Sequence, residues 1–128
     1  MSHYSTIKCS LTISDLDFIK EACKELGLTF RVGGKVRFFY SHDQQTADYV
    51  ISIPGSNYDV GLKRDLAGNL TLIYDKFDGS VEKVLGKDCH KLIQSTIYHK
   101  IVKHAKLNGK FVAKRYNKGE SVFVEITG

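Results

Sequence analysis

Asp88, Cys89 and His90 stand side by side in this chain. An acid, a thiol and an imidazole are the parts of a nucleophilic triad, but triad members meet through the fold rather than along three consecutive residues. A thiol at a helix start has its pKa lowered by the dipole. A free cysteine beside Ile93 more often faces the core, and Cys89 is read that way. His99 and His104 lie five apart and leave a helix on different sides. No CxxC, HxH or HExxH spacing occurs, and zinc would need His3, His42 and a cysteine to converge in space. His104 falls between Ile93 and Ile97 on a helical wheel, which predicts a buried imidazole rather than a ligand. Gly33-Gly34-Lys35 lacks the longer turn and following helix of a phosphate loop. Asp15 with Asp17, and Asp75 with Asp78, suit caps and turns. No catalytic residue, metal or cofactor is assigned, and a binding role is expected over an enzymatic one.

Two candidates for binding remain. Ten of the nineteen Lys and Arg residues fall between Lys83 and Lys118, beside the single acid Asp88, while residues 1–82 carry nine bases against eleven acids. Such segregation points to an acidic partner: a protein, a nucleic acid or a membrane surface. The proposed basic face is Lys91, His99, Lys103, Lys106, Lys110, Lys114 and Arg115, and only Arg115 offers bidentate phosphate geometry. Tyr98, Phe111 and Tyr116 could stack bases, or Tyr98 and Phe111 could sit in the core. The second candidate is the loop from Pro54 to Asp59, where Ser56, Asn57 and Tyr58 could present backbone N–H groups to an anion beside Lys63 and Arg64. Its bland alternative is a turn whose Ser and Asn bond their own backbone.

These residues must be positioned by about ten elements. Tyr4–Thr12 reads as a strand. Ser14 can cap a helix that carries Asp15 and Asp17 in its first turn and ends at Gly27. Period-two segments Leu28–Val32 and Lys35–Tyr40 flank Gly33-Gly34, a hairpin turn. Asp48–Ile53 is a strand. Tyr58–Arg64 and Leu70–Asp75 form a hairpin around Asp65–Asn69. Lys76–Lys87 is a connector without a clear period. A second helix runs from Asp88 to Asn108, with Ile93, Ile97, Ile101 and Ala105 on one side and Ser95, Thr96, His99, Lys103 and Lys106 on the other. Lys110–Tyr116 and Ser121–Thr127 close a last hairpin. Antiparallel hairpins with two long helices predict an α+β fold, a single mostly antiparallel β-sheet with two α-helices on one face, spanning 1–128 as one domain.

At 128 residues with 42% hydrophobic content, the chain can bury a core without disulfides or metals. Three widely spaced cysteines predict free thiols in a reducing compartment. No apolar run approaches the ~18 residues of a membrane span. The first residues lack the pattern of a signal segment, so a cytoplasmic protein without a membrane partner is expected.

Three blocks are more specific. They are the opening Met1-Ser2-His3-Tyr4-Ser5-Thr6-Ile7-Lys8, the segment Ile53-Pro54-Gly55-Ser56-Asn57-Tyr58-Asp59-Val60-Gly61-Leu62-Lys63-Arg64, and Leu85-Gly86-Lys87-Asp88 leading into Tyr98-His99-Lys100. Together they resemble domain of unknown function 1257, the Ycf-thirty-five-like family of plastids, cyanobacteria and cyanophages. The chain departs at Lys76-Phe77, where family members often carry a Trp pair. The resemblance implies a small protein of the cyanobacterial cytoplasm or plastid stroma. It implies no reaction, and by family association an adaptor role beside an AAA-type ATPase. The expected function is a non-catalytic binding or adaptor module docking an acidic protein partner through the basic helix and hairpin. The alternatives are a sequence-independent single-stranded nucleic-acid binder and an enzyme acting on a phosphorylated small molecule.

Overall fold

A computed structural model describes residues 4–37, 45–76, 79–118 and 121–128. The order is β1 (Tyr4–Thr12), a 3-10 turn (Ile13–Asp15), α1 (Leu16–Leu26), β2 (Thr29–Val36), β3 (Gln45–Ser52), β4 (Asp59–Arg64), β5 (Asn69–Asp75), α2 (Ser80–Leu85), α3 (His90–Leu107), β6 (Phe111–Lys118) and β7 (Ser121–Thr127). Strands β1-β5-β4-β3-β2 form one sheet in that order, antiparallel throughout. This is an α+β fold. Among the described residues the last hairpin does not join that sheet; β6 and β7 pair with each other and rest against α3.

The helices cover one face. Ile51, Val60, Leu62, Leu70, Leu72 and Tyr74 alternate along the central strands and meet Ile19, Ala22 and Cys23 of α1, Val81 and Leu85 of α2, and Leu92 of α3. The connector Lys76–Lys87 thus contains α2, which the sequence left without a form. Its Val81 and Leu85 are both fully buried, and two side chains are too few to show a period.

Three local expectations need correction. Ser14 is not the cap. Thr12 instead caps the 3-10 turn that leads into α1, with its Oγ1 accepting from the Ser14 N–H (3.3 Å) while its own N–H donates to Asp15 Oδ2 (2.9 Å), a capping box; α1 itself starts after Asp15 without a side-chain cap. At the other end Gly27 adopts φ 71° and closes α1 as expected.

Gly33-Gly34 does not turn a hairpin. β2 runs through both glycines in unbroken register with β3. Their φ values, 71° and 124°, instead bend the ribbon so that Val36 lies on the sheet face opposite the helices, buried against Val50 and Ile73. The predicted strand's last residues, 38–40, lie outside the described residues. A Cβ at Gly61 would come 2.6 Å from Val36 Cγ2, so the fold-over requires glycine there. Arg37, just past the bend, locks it: its Nε and Nη2 donate to Asp59 Oδ1 at 3.0 and 2.8 Å, and its N–H donates to Asp59 Oδ2 at 2.9 Å.

In α3 the sides are mixed. Leu92, Ser95, Thr96 and Ala105 are buried, Ile93, Ile97 and Ile101 only partly so, and His104 is exposed rather than buried. The helix is wedged between α1, the sheet and the last hairpin, so a single apolar arc does not describe its packing. Ser95 and Thr96 are tolerated inside because each hydroxyl donates, to Glu25 (3.1 Å) and to the Leu92 carbonyl (2.8 Å).

Candidate functional site

Glu25, at the last turn of α1, gathers three elements. Arg115 of β6 grips its two oxygens at 2.7 and 3.0 Å, Ser95 of α3 donates at 3.1 Å, and His99 Nε2 lies 3.2 Å away. The guanidinium also stacks 3.9 Å above the Tyr98 ring. The Arg115 hydrogen bonds hold the Glu25 carboxyl below its usual range, against the opposing effect of burial, with Ser95 and His99 adding to the lowering. Two residues assigned to the basic face, His99 and Arg115, therefore meet an acid from the front half of the chain. Lys100 does the same, reaching the buried Asp15 at 2.9 Å. Burial opposes ionisation of Asp15, but the Thr12 N–H and Lys100 outweigh it and keep its carboxyl low.

Among the described residues, Lys103 and Lys106 of the basic segment have no such match. α1 and α3 run antiparallel, since Ser95 near the start of α3 meets Glu25 while Lys103 near its end lies 5.7 Å over the Phe18 ring. Between their outer sides is an open groove of about 860 Å³. Phe18, Val102 and Leu107 form its apolar floor, and Leu107 is 74% exposed. Lys20 and Lys24 line it on α1, with the Lys20 ammonium 5.6 Å over the Phe30 ring of β2, and Lys103 and Lys106 line it on α3. Two acids, Asp17 and Glu21, share the lining, and Glu21 is taken by Lys24 at 3.8 Å. Among the described residues no carboxylate lies within ion-pair distance of Lys20, Lys103 or Lys106.

The hairpin supplies a second surface. Register pairs Tyr116 with Phe123, Lys114 with Glu125 and Phe111 with Thr127, so these side chains share the face turned from the protein, while Arg115 and Val124 point inward. Phe111, Tyr116 and Phe123 are 59%, 50% and 53% exposed. The option of Phe111 in the core is thus corrected. Lys110 and Lys114 are exposed beside this aromatic strip. Lys91, at the opposite end of α3, is exposed but belongs to neither surface.

The loop candidate does not assemble. Ser56, Asn57 and Tyr58 precede β4, whereas Lys63 and Arg64 end it, about 13–16 Å away along the strand. The N–H groups of Ser56, Tyr58 and Asp59 donate to the Ile53 carbonyl, Ser56 Oγ and the Arg37 carbonyl. Tyr58 is buried, Lys63 reaches Gln45 at 3.1 Å, and the Arg64 backbone N–H donates to Asp48. The segment serves as a turn.

All three cysteines are free. Cys89 is fully buried at φ 57°, and burial pushes its thiol up to about 12, far from an activated nucleophile. Burial likewise raises Cys23 to about 11 and lifts Cys9. His3 and His42 lie outside the described residues; among the described ones no three His, Cys, Asp or Glu side chains cluster as metal ligands. No helix of the described residues is long and apolar enough to cross a membrane.

No family model, curated protein or solved structure matches the chain.

Sequence reasoning missed Glu25, Phe18, Lys20, Val102, Leu107 and Phe123. Phe123 was within reach, because the hairpin register sets it opposite Tyr116. The groove was not, since it needs the mutual rotation of two helices 70 residues apart, and nothing in one helix encodes the other's angle.

Proposed function

We propose that this chain is a non-catalytic binding module that docks an acidic protein partner through α3 and the β6–β7 hairpin. The observation that carries the reading is the α3 side of the α1–α3 groove, where Lys103 and Lys106 stand without acid partners, among the described residues, beside Val102 and the exposed Leu107. An acidic protein partner can pair its carboxylates with these cations while its apolar residues cover the surface beside them. The motif resemblance makes an AAA-type ATPase the first partner to try.

A second reading, sequence-independent binding of single-stranded nucleic acid, draws on the exposed Phe111, Tyr116 and Phe123 beside Lys110 and Lys114.

Fluorescence anisotropy separates the two. Labelled polyglutamate should bind at low salt, release as salt rises, and bind far more weakly to a Lys103→Glu, Lys106→Glu variant. Polyglutamate binding indifferent to salt and to that variant refutes an acidic dock. Oligo(dT) bound with a slope near −4 in log salt, as about six phosphate contacts would give, and lost on Tyr116→Ala with Phe123→Ala, moves the assignment to the second reading.

A further inference from the structure

We propose that the partner segment is an acidic amphipathic α-helix, seated in the α1–α3 groove as the third member of a helical layer. The proposal rests on the acidic-partner reading and adds the shape of the ligand. Both walls of the groove are helices, whose backbone groups are bonded internally. They offer an extended peptide no N–H or C=O to pair with, so a strand would bury its own backbone unsatisfied. A helix brings its backbone already bonded and fits ridges into the furrow between two others.

The floor fixes the apolar side of that ligand. Phe18 lies on α1, and Val102 and Leu107 lie about one turn and a half apart on α3. They call for aliphatic residues at i, i+3 or i+4, and i+7. The charges fix one flank. Lys103 and Lys106 line the α3 side, whereas the α1 side mixes Lys20 and Lys24 with Asp17 and Glu21, so Asp or Glu is wanted on the flank that faces α3. Nucleic acid fits this groove less well, because two of its three apolar lining residues, Val102 and Leu107, are aliphatic and offer bases no ring to stack on.

The test uses the whole protein and three fluorescent probes: a stapled fourteen-residue helix with Leu at the three stripe positions and Glu on the flank meant for α3, a stapled scramble of identical composition without the stripe, and oligo(dT). The striped peptide should bind at least ~10-fold more tightly than the scramble. Leu107→Asp should weaken it by ~10-fold or more. That residue is so exposed that the variant should melt like the parent, and a melt confirms that loss of binding is not loss of fold. Equal binding of striped and scrambled peptides overturns the helix proposal while leaving a charge-only dock standing. Failure of both peptides overturns the proposal and the acidic-protein reading together. Oligo(dT) binding that Lys103→Glu with Lys106→Glu abolishes, with the striped peptide inert, overturns it in favour of nucleic acid in the groove.

Discussion

Arg115→Ala should loosen the β6–β7 hairpin from the body of the protein and destabilise the whole by ~2–3 kcal/mol. Two charge-assisted hydrogen bonds to Glu25, at 2.7 and 3.0 Å, are removed. A hydrogen bond to a charged group contributes ~1.5–3 kcal/mol, and the lower end applies because the two side chains retain 26% and 31% exposure. The stacking on Tyr98 adds ~1 kcal/mol. Glu25 keeps Ser95 and His99, so the carboxylate is not left stranded and the loss stays below that of a fully orphaned buried charge. Urea denaturation of parent, Arg115→Ala, Glu25→Gln and the double variant forms a cycle, and the coupling should be ~1–2 kcal/mol. Its pH dependence has a definite sign. A carboxyl lowered in the folded state stabilises above its unfolded pKa, and that contribution is lost as pH falls through the lower, folded value. The gap between parent and Arg115→Ala should therefore hold from neutral pH down to about 5 and close in the acid range below about 4. A coupling under ~0.3 kcal/mol, or a gap that ignores acid, would refute the claim that Glu25 fastens the hairpin.

Gly61→Ala should destabilise by ~1–3 kcal/mol or more, since its methyl would lie 2.6 Å from Val36 and 2.9 Å from Ile73, and Val36→Ala in the same chain should recover part of the loss in a thermal melt. Asp59→Asn should cost ~2 kcal/mol by weakening the Arg37 clamp; amide exchange should rise around Val36 and Arg37, and exchange that rises only in the helices would contradict the assignment. Native protein at pH 8 should react slowly with a thiol reagent at Cys23 and Cys89, whose thiols are pushed up to about 11 and 12, and all three cysteines should react at once in urea; a fast native phase at Cys89 would sink the view of it as an inert core residue.

The Asp65–Asn69 hairpin was legible because its chemistry is local: Asp65 Oδ1 accepts from the Ala67 and Asn69 N–H groups, both at 2.9 Å. α1 was legible through the helical spacing of Leu16, Ile19, Cys23 and Leu26 and through Gly27, its left-handed cap. What escaped was tertiary. Gly33-Gly34 fits a tight turn and a bend equally well, and the choice was made by a pocket above Gly61 that Val36 fills. The basic segment was visible as charge but not as geometry. Arg115 and Lys100 were diverted to Glu25 and Asp15, whereas Lys103 and Lys106 were left on a rim that only the α1 partner completes.

The bend at Gly33-Gly34 also bears on how the sheet ends. β2 is a border strand, and a long flat border is a template on which another chain can add itself. Here only Thr29–Val32 run straight before the ribbon curls onto the back of the sheet. The opposite border, β1, is broken by a register shift between Lys8 and Thr12. Among the described residues neither margin gives a visiting strand a long unbroken run of rungs, so geometry discourages accretion of copies edge to edge.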